Sequence, residues 1–275
     1  MDYQMLVLDI DGTLVTSKKE ISPATLDALI SLEKQGFYIT IASGRPTAGV
    51  RHVAEKLELD KYGNFIVSFN GSRIINCKTK QVIYDRLLPD GVLPDIYKAC
   101  VENGIGLMTY ERNDDGLEHV ISATPLDKYE ELEARCNDIP IVYVPDFLNY
   151  VNFPLNKLLM TGEPDHLAKV EEKFKKMFRG IVNVFRSEPF FLEFTPLNVD
   201  KATSLQKLLN SLGLTADQMI CCGDGFNDIT MIEYAGLGVA MANAQPPVKE
   251  AANFVTSSND EDGIVNVINK FILKK

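Results

Sequence analysis

No run of about 18 apolar residues occurs in this sequence, so no membrane-spanning helix is expected. It opens MDYQMLVLDIDG, with no basic stretch ahead of the apolar one, which does not read as a secretion leader. Cysteines are few. Cys77, Cys100, Cys136, Cys221 and Cys222 form no C-x-x-C pair and no framework spacing, which predicts free thiols in a reducing, cytoplasmic setting. Positive charge is also short: 28 Lys and Arg face 38 Asp and Glu, for a formal net charge of −10. Such a surface repels nucleic-acid phosphates and anionic lipid heads, so neither nucleic acid nor a membrane is an expected partner. His52, His119 and His166 lack ligand spacing. There is no G-x-x-x-x-G-K-[ST] loop and no G-x-G-x-x-G after the first apolar run, which removes the main support for that kind of ATP or dinucleotide binding.

What is present is globular material: 275 residues, 45% hydrophobic and 24% charged, enough for one large or two ordinary domains. Residues 3–9 (YQMLVLD) are a near-continuous apolar run, the mark of a strand covered on both faces. Ser22 and Pro23 supply an N-cap and a first-turn proline for a helix that Gly36 stops. FYITIAS (37–43) and FIVSF (65–69) are further buried strands, with a helix from about Pro46 to Leu57 between them. Three β-α units of this kind predict a parallel, doubly wound sheet. NGS (70–72) turns the chain into a hairpin ending near Arg86.

After Arg86 the pattern becomes a mixture of hairpins and helices, and strict alternation resumes from about residue 195. The expected fold class is therefore α/β: a doubly wound parallel sheet built from residues 1–86 and 190–275, with an α+β domain, 87–189, inserted between them.

The chemistry sits where buried strands stop. VLDIDGT places Asp9 and Asp11 at the end of the first strand, and MICCGDGFND places Asp224 at the end of another with Asp228 four residues on. In an open parallel sheet, ligands occupy the crevice beyond the carboxyl ends of the strands, so Asp9, Asp11, Ser43 and Asp224 can meet there. At about 4 Å and an effective dielectric near 20, each like-charged pair costs roughly 4 kcal/mol. A hard divalent cation removes that penalty, and all-oxygen ligands without His or Cys suit Mg²⁺, which favours a substrate phosphate as a further ligand. SGRP (43–46) offers a hydroxyl, a small Gly44, and Arg45 at a helix start; Lys201 opens a later helix; Gly12 and Thr13 let the chain turn tightly behind Asp9. Each segment alone is ordinary: an aspartate followed by a glycine is common turn chemistry, and a lone lysine is most often solvated. All four in order, each at a strand or helix end, are not. Cys221 and Cys222 sit mid-strand, where burial makes thiols inert.

DIDGT (9–13), ASGR (42–45), Lys201 and GDGFND (223–228) resemble the four ordered motifs of the haloacid dehalogenase (HAD) superfamily of phosphatases. The inserted domain is similar to the large α/β cap of its Cof-like, sugar-phosphatase branch. The resemblance covers the whole chain and implies a Rossmann-like core. It also implies a Mg²⁺-dependent phosphatase acting on a small phosphorylated metabolite. Asp9 would be the nucleophile and Asp11 the acid and base. Ser43 and Lys201 would hold the phosphoryl group, beside Ile10, Gly12, Gly44, Arg45, Asn198 and Asn227 as substrate-binding positions. Asp9, Asp11 through its main-chain oxygen, Asp224 and Asp228 would serve the metal.

One departure is visible. Relatives often carry glycine shortly before the motif lysine, where this chain has Asn198. Asparagine tolerates left-handed backbone, so the turn is expected to survive. Two alternatives stand beside the phosphatase: a catalytically idle sensor of phosphorylated metabolites, and a phosphomutase or phosphotransferase in which an acceptor sugar outcompetes water. Specificity is expected in loops near 110–125 and 145–157. No feature of the sequence sets an oligomeric state.

Overall fold

The computed structural model describes residues 3–112, 118–124 and 128–274. Along the chain the strands are β1 (Met5–Leu8), β2 (Tyr38–Ala42), β3 (Phe65–Ser68), β4 (Arg73–Asn76) and β5 (Val82–Asp85). Then come β6 (Gly106–Arg112), β7 (Glu118–Ala123), β8 (Ile141–Tyr143), β9 (Leu158–Thr161), β10 (Val182–Glu188) and β11 (Phe191–Pro196). Last are β12 (Met219–Gly223), β13 (Leu237–Ala240) and β14 (Phe254–Val255). They form two sheets, ordered β14-β13-β12-β1-β2-β3-β4-β5 and β10-β11-β9-β6-β7-β8.

The first sheet is parallel from β14 through β3, and β4 returns antiparallel. Its strands are apolar on both faces because both are covered. Leu6 and Leu8 enter one hydrophobic cluster with Ile39, Ile41 and Val239, while Met5 and Val7 enter another with Phe65, Val67 and Leu205. The first helix, Pro23–Lys34, starts as its sequence dictates: the Ser22 hydroxyl accepts from the Thr25 amide at 3.1 Å, and Pro23 occupies the first turn.

The chain divides into two compact units. One comprises Met1–Gly44, Val50–Tyr84 and Asp200–Lys275; the other comprises Arg45–Gly49 and Asp85–Val199. The expected core segment 190–275 starts too early: Phe191–Pro196 pairs with β9 and β10 in the second sheet, and the first unit resumes at Asp200. A period of two shows which face of a strand is buried, not which sheet it joins. The second sheet is largely antiparallel and packs one face on helices through Leu107, Leu158, Met160, Leu192 and Phe194. Of the loops expected to set specificity, residues 113–117 and 125 lie outside the described residues; 147–150 form a short helix. No helix among the described residues is long and apolar enough to cross a membrane.

Candidate active site

Register fixes the site. Leu8 lies level with Cys222 on one side and Ile41 on the other, so β1, β2 and β12 end close together. β1 stops at Leu8 and is followed by Asp9; β2 and β12 run one residue further, to Ala42 and Gly223, and are followed by Ser43 and Asp224. Three stretches far apart in sequence are thus presented at one edge of the sheet.

Lys201, first residue of the helix Lys201–Leu212, is fully buried and gives its ammonium to Asp9 Oδ1 at 2.8 Å and Asp228 Oδ1 at 2.5 Å. The other Asp228 oxygen accepts the amides of Asp224 and Gly225, both at 2.9 Å. Thr13 Oγ1 donates to Asp224 Oδ1 at 2.9 Å. One carboxylate oxygen each from Asp9, Asp224 and Asp228 fall within 4.8 Å of one another. Gly12 makes this approach possible. Its φ is +82°, and a Cβ there would collide with the Asp224 carboxylate.

The charges do not balance. Three carboxylates share one ammonium, which leaves two negative charges uncompensated if all ionise. Burial, then Asp228, raises the Asp9 carboxyl to about 8 although Lys201 pulls it down. Asp224 rises to about 6, chiefly by burial, against the Thr13 hydrogen bond. Burial alone would depress the Lys201 ammonium, but Asp228 and Asp9 outweigh it and hold the group above the ordinary lysine value. Burial pushes the Cys221 and Cys222 thiols up, so neither is a nucleophile.

The remaining predicted positions divide. Ser43 is buried; its amide donates to Val67 O at 2.8 Å and its carbonyl accepts from Asn70 N–H at 3.0 Å. The Ile10 carbonyl accepts from Leu14 N–H at 3.1 Å and Val15 N–H at 3.0 Å, closing the turn after Asp9. Asn227 Nδ2 donates to Asn70 Oδ1 at 2.9 Å, and Gly44 sits against the same Asn70 amide group. Asp11 is not in the acidic trio; its Oδ1 accepts from Lys19 Nζ at 2.8 Å. Arg45 and Asn198 belong to the second unit. There the Arg45 guanidinium donates to Cys136 O at 3.0 Å, and Asn198 adopts φ +59°, the left-handed turn expected of it.

Sequence reasoning missed Asn70 as a strut between Gly44 and Asn227, the Thr13 hydroxyl as a partner of Asp224, and Lys19. Consecutive positive φ values at Phe69 and Asn70, +52° and +53°, make the strut possible, and NGS gave only a turn signal.

The chain matches the haloacid dehalogenase-like hydrolase family over residues 6–268. It is 42% identical to a haloacid dehalogenase-like hydrolase of Bacteroides thetaiotaomicron whose crystal structure gives a TM-score of 0.92, covering 98% of this chain and 99% of that one. The HAD subclass IIB sugar phosphatase BT4131 is 28% identical, with a TM-score of 0.79 and 98% of each chain covered. The 5-amino-6-(5-phospho-D-ribitylamino)uracil phosphatase YcsE of Bacillus subtilis is 28% identical over 275 residues, 99% of this chain and 97% of that protein.

Proposed function

Because the chain belongs to the haloacid dehalogenase-like hydrolases and is a phosphatase of that family, we propose that it hydrolyses small phosphate monoesters, sugar phosphates foremost, through an aspartyl-phosphate on Asp9 with Mg²⁺ as cofactor. The observation that carries this is the buried Lys201 ammonium bonded to Asp9 and Asp228 beside Asp224, a cluster short of two positive charges. A site that retains excess buried negative charge is built for a cation.

The donors fit Mg²⁺: they are hard carboxylate oxygens, with no sulfur or imidazole among them. Asp9, Asp224 and the main-chain oxygen of Asp11 would hold it. Asp228, with both oxygens already engaged, supports Lys201 and the Asp224 backbone and closes the acidic shell. When bound, the ion offsets charge on the phosphoryl oxygens.

The chain's own groups then do the following. Asp9 Oδ attacks phosphorus while the ester P–O bond breaks, and the Asp11 carboxyl gives its proton to the departing alcohol. In the second half Asp11 takes a proton from water as that oxygen attacks, freeing Asp9 and inorganic phosphate. Ser43 and Lys201 hold the phosphoryl oxygens, with Asn227 beside them. The sugar-phosphate class draws support from the likeness to BT4131.

The test is phosphate release from p-nitrophenyl phosphate and a sugar-phosphate panel, with Mg²⁺ or with EDTA. Metal-dependent release is expected. Binding without turnover would favour the sensor instead, and phosphate appearing on an added sugar would favour a phosphotransferase.

A further inference from the structure

The turn that follows β3 touches three other segments of the site. Phe69, Asn70 and Gly71 take φ values of +52°, +53° and +103° in succession. Left-handed backbone disfavours any residue with a Cβ, a bulky aromatic most of all, so the surroundings must enforce it. Asn70 N–H donates to Ser43 O at 3.0 Å. The Gly71 carbonyl accepts from the Ser204 hydroxyl, and a Cβ on Gly71 would collide with that hydroxyl and with the carbonyl of Asp200, the residue before Lys201. Asn70 Oδ1 accepts from Asn227 Nδ2 at 2.9 Å, and Gly44, having no Cβ, lets the same carboxamide lie close against it. One turn is therefore fastened to the end of β2, to the start of the Lys201 helix and to the loop after β12.

Asn227 is where this fastening has chemical leverage. It is exposed and sits on a single tight turn, Phe226–Asp228, where an untethered carboxamide samples several rotamers. The Asn70 oxygen selects one. The tether needs only one of the two hydrogens on Nδ2. We propose that Asn70 is a positioning residue that acts through Asn227, holding its carboxamide ready for a phosphoryl oxygen before the substrate arrives. This deepens the phosphatase reading and rests on Asn227 contacting that oxygen. A donor fixed in advance costs no reorganisation on binding, and a neutral hydrogen bond of this kind changes an equilibrium by about fivefold.

Inhibition by inorganic phosphate reads this out, with p-nitrophenyl phosphate as substrate and Mg²⁺ present. A competitive inhibition constant does not depend on how much of the enzyme is folded, so a merely structural lesion lowers the maximal rate and leaves Ki in place. Asn70→Gly deletes the strut, suits the φ of +53° and keeps the N–H bond to Ser43 O. It is expected to raise Ki about fivefold and to lower kcat/KM by a similar factor. Asn227→Ala should do at least as much. Adding Asn70→Gly to Asn227→Ala should then change either constant by less than about twofold, because the strut has nothing left to hold. Lys80→Gly, the same backbone relief at an exposed residue with φ +59°, should leave Ki unchanged. An unmoved Ki in Asn70→Gly, an equal rise in Lys80→Gly, or losses that multiply in the double variant would overturn the proposal. Failure of the underlying reading has a separate signature and takes the proposal with it: wild type releases no phosphate, or Asn227→Ala alone leaves Ki where it was.

Discussion

The two units each bury a lysine against carboxylates, and they do it with different arithmetic. In the second unit Lys157 meets Glu193 at 3.3 Å, with both side chains at most 6% exposed: one positive, one negative. In the first, Lys201 meets Asp9 and Asp228 with Asp224 alongside. A one-to-one pair balances its own charge. A one-to-three cluster is electrostatically incomplete as a protein, so its cost is sensible only where a ligand completes it. Lysine burial alone would not have told these regions apart; the surplus of carboxylate does.

The sharpest way to break the contrast is to remove charge from the incomplete cluster. Asp9→Asn should lower phosphate release by about 10⁴-fold or more, as loss of a nucleophile does. The same change takes one repelling charge out of the trio. In EDTA the variant should therefore unfold at or above the wild-type temperature, measured by calorimetry. A nucleophile variant that lost activity and stability together would mean Asp9 is structural.

Breaking the balanced pair should do the reverse. Lys157→Met leaves Glu193 buried without its cation, with an Oε2 that has no hydrogen-bond partner among the described residues, and should cost about 3–5 kcal/mol in urea unfolding. Adding Glu193→Leu should recover most of that loss, since replacing both members of a buried pair is often near neutral. Metal provides the next, smaller contrast. Mg²⁺ at a hundredfold its dissociation constant should stabilise the wild type by about 2.7 kcal/mol, and Asp224→Asn should blunt that gain. The Lys157→Met protein should keep it, because its altered charge lies outside the acidic trio.

How much of this could be seen in the sequence depends on the range of the interaction that produces it. The parallel sheet was legible because β1, β2, β3 and β12 carry their burial on both faces in their own composition. The Ser22 cap and the left-handed Asn198 were legible because each is a property of one residue and its near neighbours. Asp9, Ser43, Lys201 and Asp224 could be named because residue type at a strand or helix end is local information. Features set by long-range register were not. The membership of Phe191–Pro196 in the second sheet depends on pairing with β9. The contact between Asn70 and Asn227 spans 157 residues of chain, and that between Thr13 and Asp224 spans 211. Lys19 escaped for another reason: a lysine at positive φ has no composition signal, so a short basic loop reads as solvated surface.

A third setting for a buried carboxylate completes the comparison with the smallest effect. Among the described residues Glu33, 3% exposed, has no ion pair and belongs to no candidate metal cluster; its Oε1 accepts from Asn64 Nδ2, and its Oε2 has no hydrogen-bond partner. Its charge is answered by a proton. Burial lifts the carboxyl from 4.5 to about 7, a rise tempered by the Asn64 hydrogen bond, increased by Glu58 and lowered slightly by Lys61. The folded state therefore binds this proton more tightly than the unfolded chain. The stability it confers is complete below about 4.5, falls as pH climbs, and is gone above about 7. Glu33→Gln stays neutral throughout and keeps an oxygen for Asn64. Against wild type it should be equal in stability near pH 4.5 and more stable by about 1–2 kcal/mol at pH 8, a value reduced from the full linkage because solvent screens part of the charge. Urea denaturation at the two pH values in EDTA checks this. A variant less stable than wild type at pH 8 would show that Glu33 ionises at little cost, and that burial of a lone carboxylate here needs neither metal, lysine nor proton.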